Sequence, residues 1–303
     1  MREPVVAGKF YPAGKEALLA SIRKSFLTGL GVDKPDVPEQ VMAAGPERFV
    51  AVVSPHAGYV FSGSVASHAF NFLARDGFPE TILLLGPLHY PTPDKFFLSM
   101  EDFSTPLGRI ENNNELGKLL LAGRSPLIRS DSSHEKEHSL EVQLPFLQYL
   151  APRPFKIVPI GFSRHSYRST RNLGRHIASV LKKYWKQGGG SVGVVASSDF
   201  CHVGPSYGYT PIIGSGKTIV KWMETHDGEA MDYICNLDGQ GFDKYRNKLG
   251  LTICGTYPIL TTMELAKEMG VKKGEKLDYI TSYEQAKNMH SIVGYGAIGF
   301  RQG

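Results

Sequence analysis

Four histidines in this 303-residue chain each follow a short apolar run. His56 comes after Phe49–Ser54, His89 after Thr81–Gly86, His165 after Lys156–Gly161 and His202 after Ser191–Ala196. The runs are aliphatic or β-branched and short, as buried strands are. Pro55 has no N–H to give a sheet ladder, so the first strand should stop there, and Gly58 lets the following loop turn sharply. In an open α/β sheet, parallel strands bring their carboxyl ends to one edge, and ligands bind in the crevice outside it. One loop histidine is most simply satisfied by backbone or water. The recurrence at His56, His89 and His202 outweighs that reading and predicts a single histidine-rich site. His56 and His89 are 33 residues apart, about one strand–helix–strand unit, which would set their loops side by side as a pair of metal ligands. Spacing leaves the third ligand open among Asp199, Cys201, His202 and Cys254, although adjacent Cys201 and His202 would be strained on one ion.

The elements that must hold these loops are legible as periodicity. Lys15–Leu30 places Leu18, Leu19, Ile22, Phe26 and Leu27 at helical spacing, and Ser166–Gln187 does the same with Leu173, Ile177, Val180, Leu181 and Tyr184. Further helices are expected over Ser64–Arg75, opened by Ser62-Gly63, and over Asn112–Gly123, Thr218–Asn236, Phe242–Gly250 and Ile259–Gly270. His68 reads as a helix residue at the core margin, and His226 and Cys235 as structural. Val5–Pro12 reads as an edge strand and Phe96–Met100 as a strand, and Leu277–Tyr283 with Ser291–Phe300 as a meander on the sheet edge. Gly31–Arg48, with three prolines, reads as a surface loop, and Ser125–Glu137 as irregular. His138–Leu150 reads as a helix interrupted at Pro145. His138 and Glu141 at its start would then line the cleft or simply cap the helix.

Composition narrows the function classes. The chain is 42% apolar and 21% charged, which suits a globular protein with a sizeable core. Its net charge is only +5 and its basic residues are scattered, which argues against nucleic-acid binding. No apolar run reaches membrane-spanning length and no signal-peptide pattern opens the chain, so a cytoplasmic protein without membrane contact is expected. Cys201, Cys235 and Cys254 form neither a disulfide framework nor a CxxC motif, leaving packing, metal binding or catalysis as their roles. No repeat or linker divides residues 1–303, so one domain is expected. GxGxxG, P-loop, HExxH and GxSxG motifs are absent.

The motifs as they stand are Pro55-His56-Ala57-Gly58-Tyr59 with Ser62-Gly63, Leu85-Gly86-Pro87-Leu88-His89, Glu137-His138-Ser139-Leu140-Glu141, Ser197-Ser198-Asp199-Phe200-Cys201-His202 and Thr252-Ile253-Cys254-Gly255. Together with Val6-Ala7-Gly8-Lys9-Phe10-Tyr11-Pro12, this set resembles the MEMO family, in order and over nearly the whole chain. That family resembles the class III extradiol dioxygenases. The resemblance implies a three-layer α/β/α sandwich around a mostly parallel mixed sheet. It also implies His56, His89 and Cys254 as metal ligands, His202 as an acid/base, and Asp199 in the pocket wall. Members are linked to iron or copper and redox chemistry, and the human member to phosphotyrosine-peptide binding. A Cys stands where the dioxygenases have a Glu ligand, so ring cleavage does not carry over. A single His89 followed by Tyr90 replaces the His pair of the animal form.

Two imidazoles and a thiolate form a partly soft ligand set with open positions, favouring copper or zinc more than a two-histidine, one-carboxylate set does while still admitting Fe(II). The leading expectation is an iron- or copper-dependent redox or oxygenase-type protein acting on a small-molecule substrate or a peptide, with His202, Asp199, His138 and Glu141 as candidate catalytic groups. The alternatives are a non-catalytic peptide or phosphopeptide module and a zinc hydrolase. A homo-oligomer is compatible with any of these.

Overall fold

The computed structural model describes residues 1–38, 49–90 and 92–303. The expected loop over Gly31–Arg48 therefore lies partly outside the described residues, as does Pro91 in the loop after His89. The chain runs α1 (Lys15–Leu30), β1 (Val50–Ser54), α2 (Tyr59–Ala74), β2 (Thr81–Pro87), β3 (Phe96–Leu98), β4 (Phe103–Thr105) and β5 (Gly108–Asn112). It continues with α3 (Asn114–Leu121), β6 (Leu127–Arg129), α4 (Leu144–Leu150), β7 (Lys156–Phe162), α5 (Tyr167–Lys186), β8 (Val192–Ser197) and β9 (His202–Val203). The last third holds α6 (Gly216–Cys235), α7 (Gly239–Leu249), α8 (Thr256–Glu268), β10 (Gly274–Thr281), α9 (Tyr283–Ala286) and β11 (Ile292–Arg301).

The main sheet has the order β10-β11-β1-β8-β2-β7-β3-β6. Its centre, β1-β8-β2-β7, is parallel, and β10, β11 and β3 join antiparallel. The central strands are apolar throughout because both faces are covered. Ala51, Val53, Leu83, Leu85, Val158, Ile160, Val194 and Ala196 belong to one core, shared with Leu173, Ile177 and Leu181 of α5 and with Ile259 and Leu260 of α8. Val50, Val52, Ile82, Leu84, Ile157 and Val195 belong to a second core, built with α1, α2 and α4. The period-2 alternation of side chains sends neighbouring residues to opposite layers, and the result is a three-layer α/β/α sandwich. Gly174 permits α5 and α8 to pack closely, since a Cβ there would lie 2.8 Å from the Thr261 carbonyl oxygen.

The strand order corrects one expectation directly. β8 pairs with both β1 and β2, so the loops carrying His56 and His89 are not neighbours along the sheet. The loop after β8 stands between them. Val5–Pro12 is not an edge strand. The N–H groups of Val5 and Val6 go to the Glu141 carboxylate rather than to a sheet neighbour, at 2.9 and 3.0 Å. Within 125–137 lies a short strand, β6, paired parallel to β3. Helix α2 opens at Tyr59, ahead of Ser62-Gly63, with the Tyr59 N–H anchored on the Phe10 carbonyl. His138–Leu150 is a turn and a 3-10 helix over Glu141–Gln143 before α4 begins, with Pro145 in the first turn of α4, where its missing N–H costs nothing.

Candidate metal centre

His56, His89 and Asp199 each stand two residues beyond the end of a parallel strand, β1, β2 and β8 in turn. Cys254 reaches the same sheet edge from the segment before α8. Gly255 permits that approach, because a Cβ there would lie 2.4 Å from the Ser197 carbonyl oxygen. One donor atom from each of His56, His89 and Cys254 lies within 4.8 Å of the others. The His56 Nε2 to Cys254 Sγ distance is 3.3 Å.

Hydrogen bonds fix which imidazole nitrogen is free. Ser197 Oγ gives its one proton to the Ser139 carbonyl at 2.7 Å, and it accepts from Gln143 Nε2 at 2.9 Å. His56 Nδ1, 2.8 Å from that hydroxyl, must therefore donate, leaving Nε2 as a bare lone pair facing Cys254. His89 Nδ1 lies 2.9 Å from Glu137 Oε1, an acceptor only, so His89 also carries its proton on Nδ1. The backbone N–H groups of His89, His138 and Ser139 complete the Glu137 shell at 2.5, 2.8 and 2.7 Å. Burial opposes ionisation of Glu137, but the hydrogen bond and charge of His89 hold its pKa down at about 2. A carboxylate so fully engaged serves to orient His89. The His89, Glu137 and His138 grouping also brings donor atoms within 4.8 Å of one another, yet Glu137 has little lone-pair capacity left for a cation.

His202 has the same tautomer by a third route. Its Nδ1 lies 3.1 Å from the Thr252 carbonyl oxygen, and its backbone N–H donates to Thr252 Oγ1 at 2.8 Å. Asp199 accepts the His56 N–H on Oδ1 at 2.8 Å, and its Oδ2 lies 3.9 Å from His56 Nε2. Burial raises the Asp199 pKa against the charge of His202. Burial also pushes the Cys254 thiol up, with Asp199 adding to the effect, so without a cation Cys254 is a neutral thiol. Burial depresses His56 well below the usual range, and the neighbouring His89, His138 and His202 press it further down. Burial opposes a charge on His89, but the hydrogen bond and charge of Glu137 outweigh it and raise the His89 pKa, so a proton competes with a cation for its Nε2. The other features suit a cation. It would take up the bare lone pairs and stabilise the thiolate while a proton leaves.

The family model for Memo-like protein matches residues 2–299. The chain belongs to this Memo-like family. A MEMO1 family protein of Methanopyrus kandleri is 35% identical over 304 residues, spanning 100% of this chain and 99% of its own. A MEMO1 family protein of Thermococcus onnurineus is 36% identical over 310 residues, spanning 100% of both chains. A third, from Thermococcus kodakarensis, is 34% identical over 308 residues.

The structure of this Memo-like protein sorts the residues singled out in the sequence. His56, His89 and His138 pack ring to ring, with centroids 5.2, 5.6 and 4.5 Å apart. Burial lowers the His138 pKa to about 4. Glu141 is completely buried and occupied elsewhere, 2.7 Å from Arg2 Nη1 and 2.6 Å from the Tyr11 hydroxyl. Cys201 is fully buried, and its backbone N–H points to the Asp227 carboxylate at 3.3 Å. His165 stacks on Phe96 with ring centroids 3.6 Å apart. His226 lies 2.7 Å from the Tyr245 hydroxyl, and His68 lies 3.6 Å from Asp278. Sequence reasoning missed Glu137, Ser197 and Gln143 as orienting groups. Glu137 and Ser197 lay inside the quoted motifs, and a Glu directly before a His was the available signal. Among the described residues, no helix is long and apolar enough to cross a membrane.

Proposed function

We propose that this protein is a metal-dependent redox or oxygenase-type enzyme built on a two-histidine, one-cysteine centre, with iron or copper as its ion. The reading is carried by the convergence of His56, His89 and Cys254 with both imidazoles held as Nδ1–H tautomers. His56 Nε2, His89 Nε2 and Cys254 Sγ would hold the ion, and Ser197 and Glu137 orient the two imidazoles. Bound iron or copper supplies one-electron and dioxygen chemistry. His202 presents a bare Nε2 and takes or returns a substrate proton there, steadied by Thr252. Asp199, whose pKa burial raises, accepts the His56 backbone N–H and so braces the His56 loop in the pocket wall. The acid/base role of His202 and the pocket role of Asp199 rest on the family likeness together with this placement.

Two other readings follow from the same site. The thiolate favours zinc, and zinc with two His, one Cys and a water would make a hydrolase. A peptide or phosphopeptide module would use the cleft without chemistry. Metal analysis of the purified protein, followed by oxygen consumption with a reductant, separates the three. Iron or copper with oxygen uptake supports the redox reading. Zinc without uptake replaces it with hydrolysis, and a metal-free protein that binds phosphopeptide replaces it with recognition. His89→Ala and Cys254→Ser should each lose stoichiometric metal while remaining folded by circular dichroism, and full occupancy in both would remove the centre.

A further inference from the structure

A cleft of about 220 Å³ opens beside Cys254, between the loops after β2 and β7 and the segment leading into α8. Leu88, Phe162 and Tyr257 give it apolar walls, and two arginines, Arg164 and Arg246, also line it. Among the described residues no Asp or Glu lines it. The arginine–carboxylate pairs among the described residues involve neither Arg164 nor Arg246. Arg246 donates from Nη2 to Asn247 Oδ1 at 2.6 Å, its one side-chain hydrogen bond among the described residues. The planar guanidinium fork matches a carboxylate or phosphate group in shape and charge.

The geometry points to an oxyanion pocket in which Arg164 and Arg246 clamp the acidic head of a small organic acid, with its apolar body against Leu88 and Phe162 and its far end beside Cys254. The substrate class of the proposed centre is thus a small acid, and this step rests on the metal-centre reading only for what happens to the acid once bound. The volume is below the roughly 300–1,000 Å³ of pockets that enclose drug-sized ligands, so a compact acid fits better than a nucleotide.

Calorimetric titration of the full chain with benzoate, phenyl phosphate and neutral benzamide tests the assignment, with metal content measured on the same samples. At least one of the two anions should bind and benzamide should not; the better anion identifies the head group as carboxylate or phosphate. Arg246→Gln and Arg164→Gln should each weaken that binding by about tenfold or more. Arg246→Lys, which keeps the charge and loses the fork, should recover only part of it. Arg153→Gln, in a separate cleft, should change nothing. Binding that ignores charge, or that survives both glutamine substitutions, overturns the pocket. If metal stays bound in that case, the centre stands alone. Arginine-dependent anion binding by a protein that takes no metal would instead overturn the centre and leave the pocket.

Discussion

A histidine becomes a good ligand when something else holds its second nitrogen. Here Ser197 does so for His56 and Glu137 for His89, while Thr252 does the same for the proposed base, His202. Orienting partners of this kind commonly change metal affinity by roughly 10–100-fold. Glu137→Gln places an amide where an acceptor-only carboxylate now receives four N–H groups. Its affinity, measured by chelator competition, should fall within that range, and an unchanged value would make Glu137 a purely structural group. His202→Ala should keep its metal and lose about 10²–10⁴-fold of turnover. Loss of metal in that variant would instead make His202 a ligand. The residue types for this chemistry were visible in the sequence, but the tautomers were not. A tautomer depends on a partner that lies 141 residues away for His56 and 48 for His89.

Among the elements, the N-terminal segment departs most from its local pattern. Val5–Pro12 has strand-like residues, yet Glu141 captures its N–H groups and the Tyr11 hydroxyl. Arg2 closes the clasp. It pairs with Glu141 at 2.7 Å, donates from Nε to the His134 carbonyl at 2.9 Å, and donates from Nη2 to the Glu137 carbonyl. The segment thereby buttresses the turn that carries Glu137 and His138. Both members of the pair are buried, and removing one partner of such a pair costs about 3–5 kcal/mol. Glu141→Gln should lose stability of that order in urea while metal affinity in the folded protein changes little. A variant of native stability with no turnover would return Glu141 to the catalytic set. Helices α1 and α5 were legible because their apolar stripes and end signals agree. α1 is followed by Gly31 in the left-handed region, and α5 opens at a Ser166–Ser169 capping box.

At the scale of the whole molecule, two buried groups far apart in sequence set opposing pH slopes. Burial holds the His134 pKa at about 4 against an ordinary 6.5. The native state therefore binds this proton less readily than the unfolded chain, so stability is complete above pH 6.5 and is lost as pH falls toward 4. Burial raises the Asp227 pKa from 3.8 to about 6, which reverses the sign. Its contribution is complete below pH 3.8 and is lost as pH rises toward 6. Each effect amounts to about 3 kcal/mol at full extent. Asp227→Asn should steepen the rise of stability between pH 4 and 6, and His134→Gln should flatten it. Urea unfolding of metal-free protein across that range reads both, and slopes parallel to wild type in both variants would show that neither group is shifted.

By itself the sequence determined the α/β alternation, most of the helices, the strand–loop junctions bearing His56 and His89, and the motif set that marks the Memo-like family. These are properties of neighbouring residues: periodicity, breakers and short spacings. His202, read as a loop residue, stands instead in the short strand β9 paired to β11. The tertiary structure decided that β8 enters between β1 and β2, placing Asp199 between the two histidine loops. It also decided that Glu137 orients His89 while Glu141 anchors the N-terminus, though both belong to one motif. Strand order and buried polar pairing arise from contacts between residues distant along the chain. Such contacts leave no period and no local preference in the sequence, so they are settled only when the layers pack.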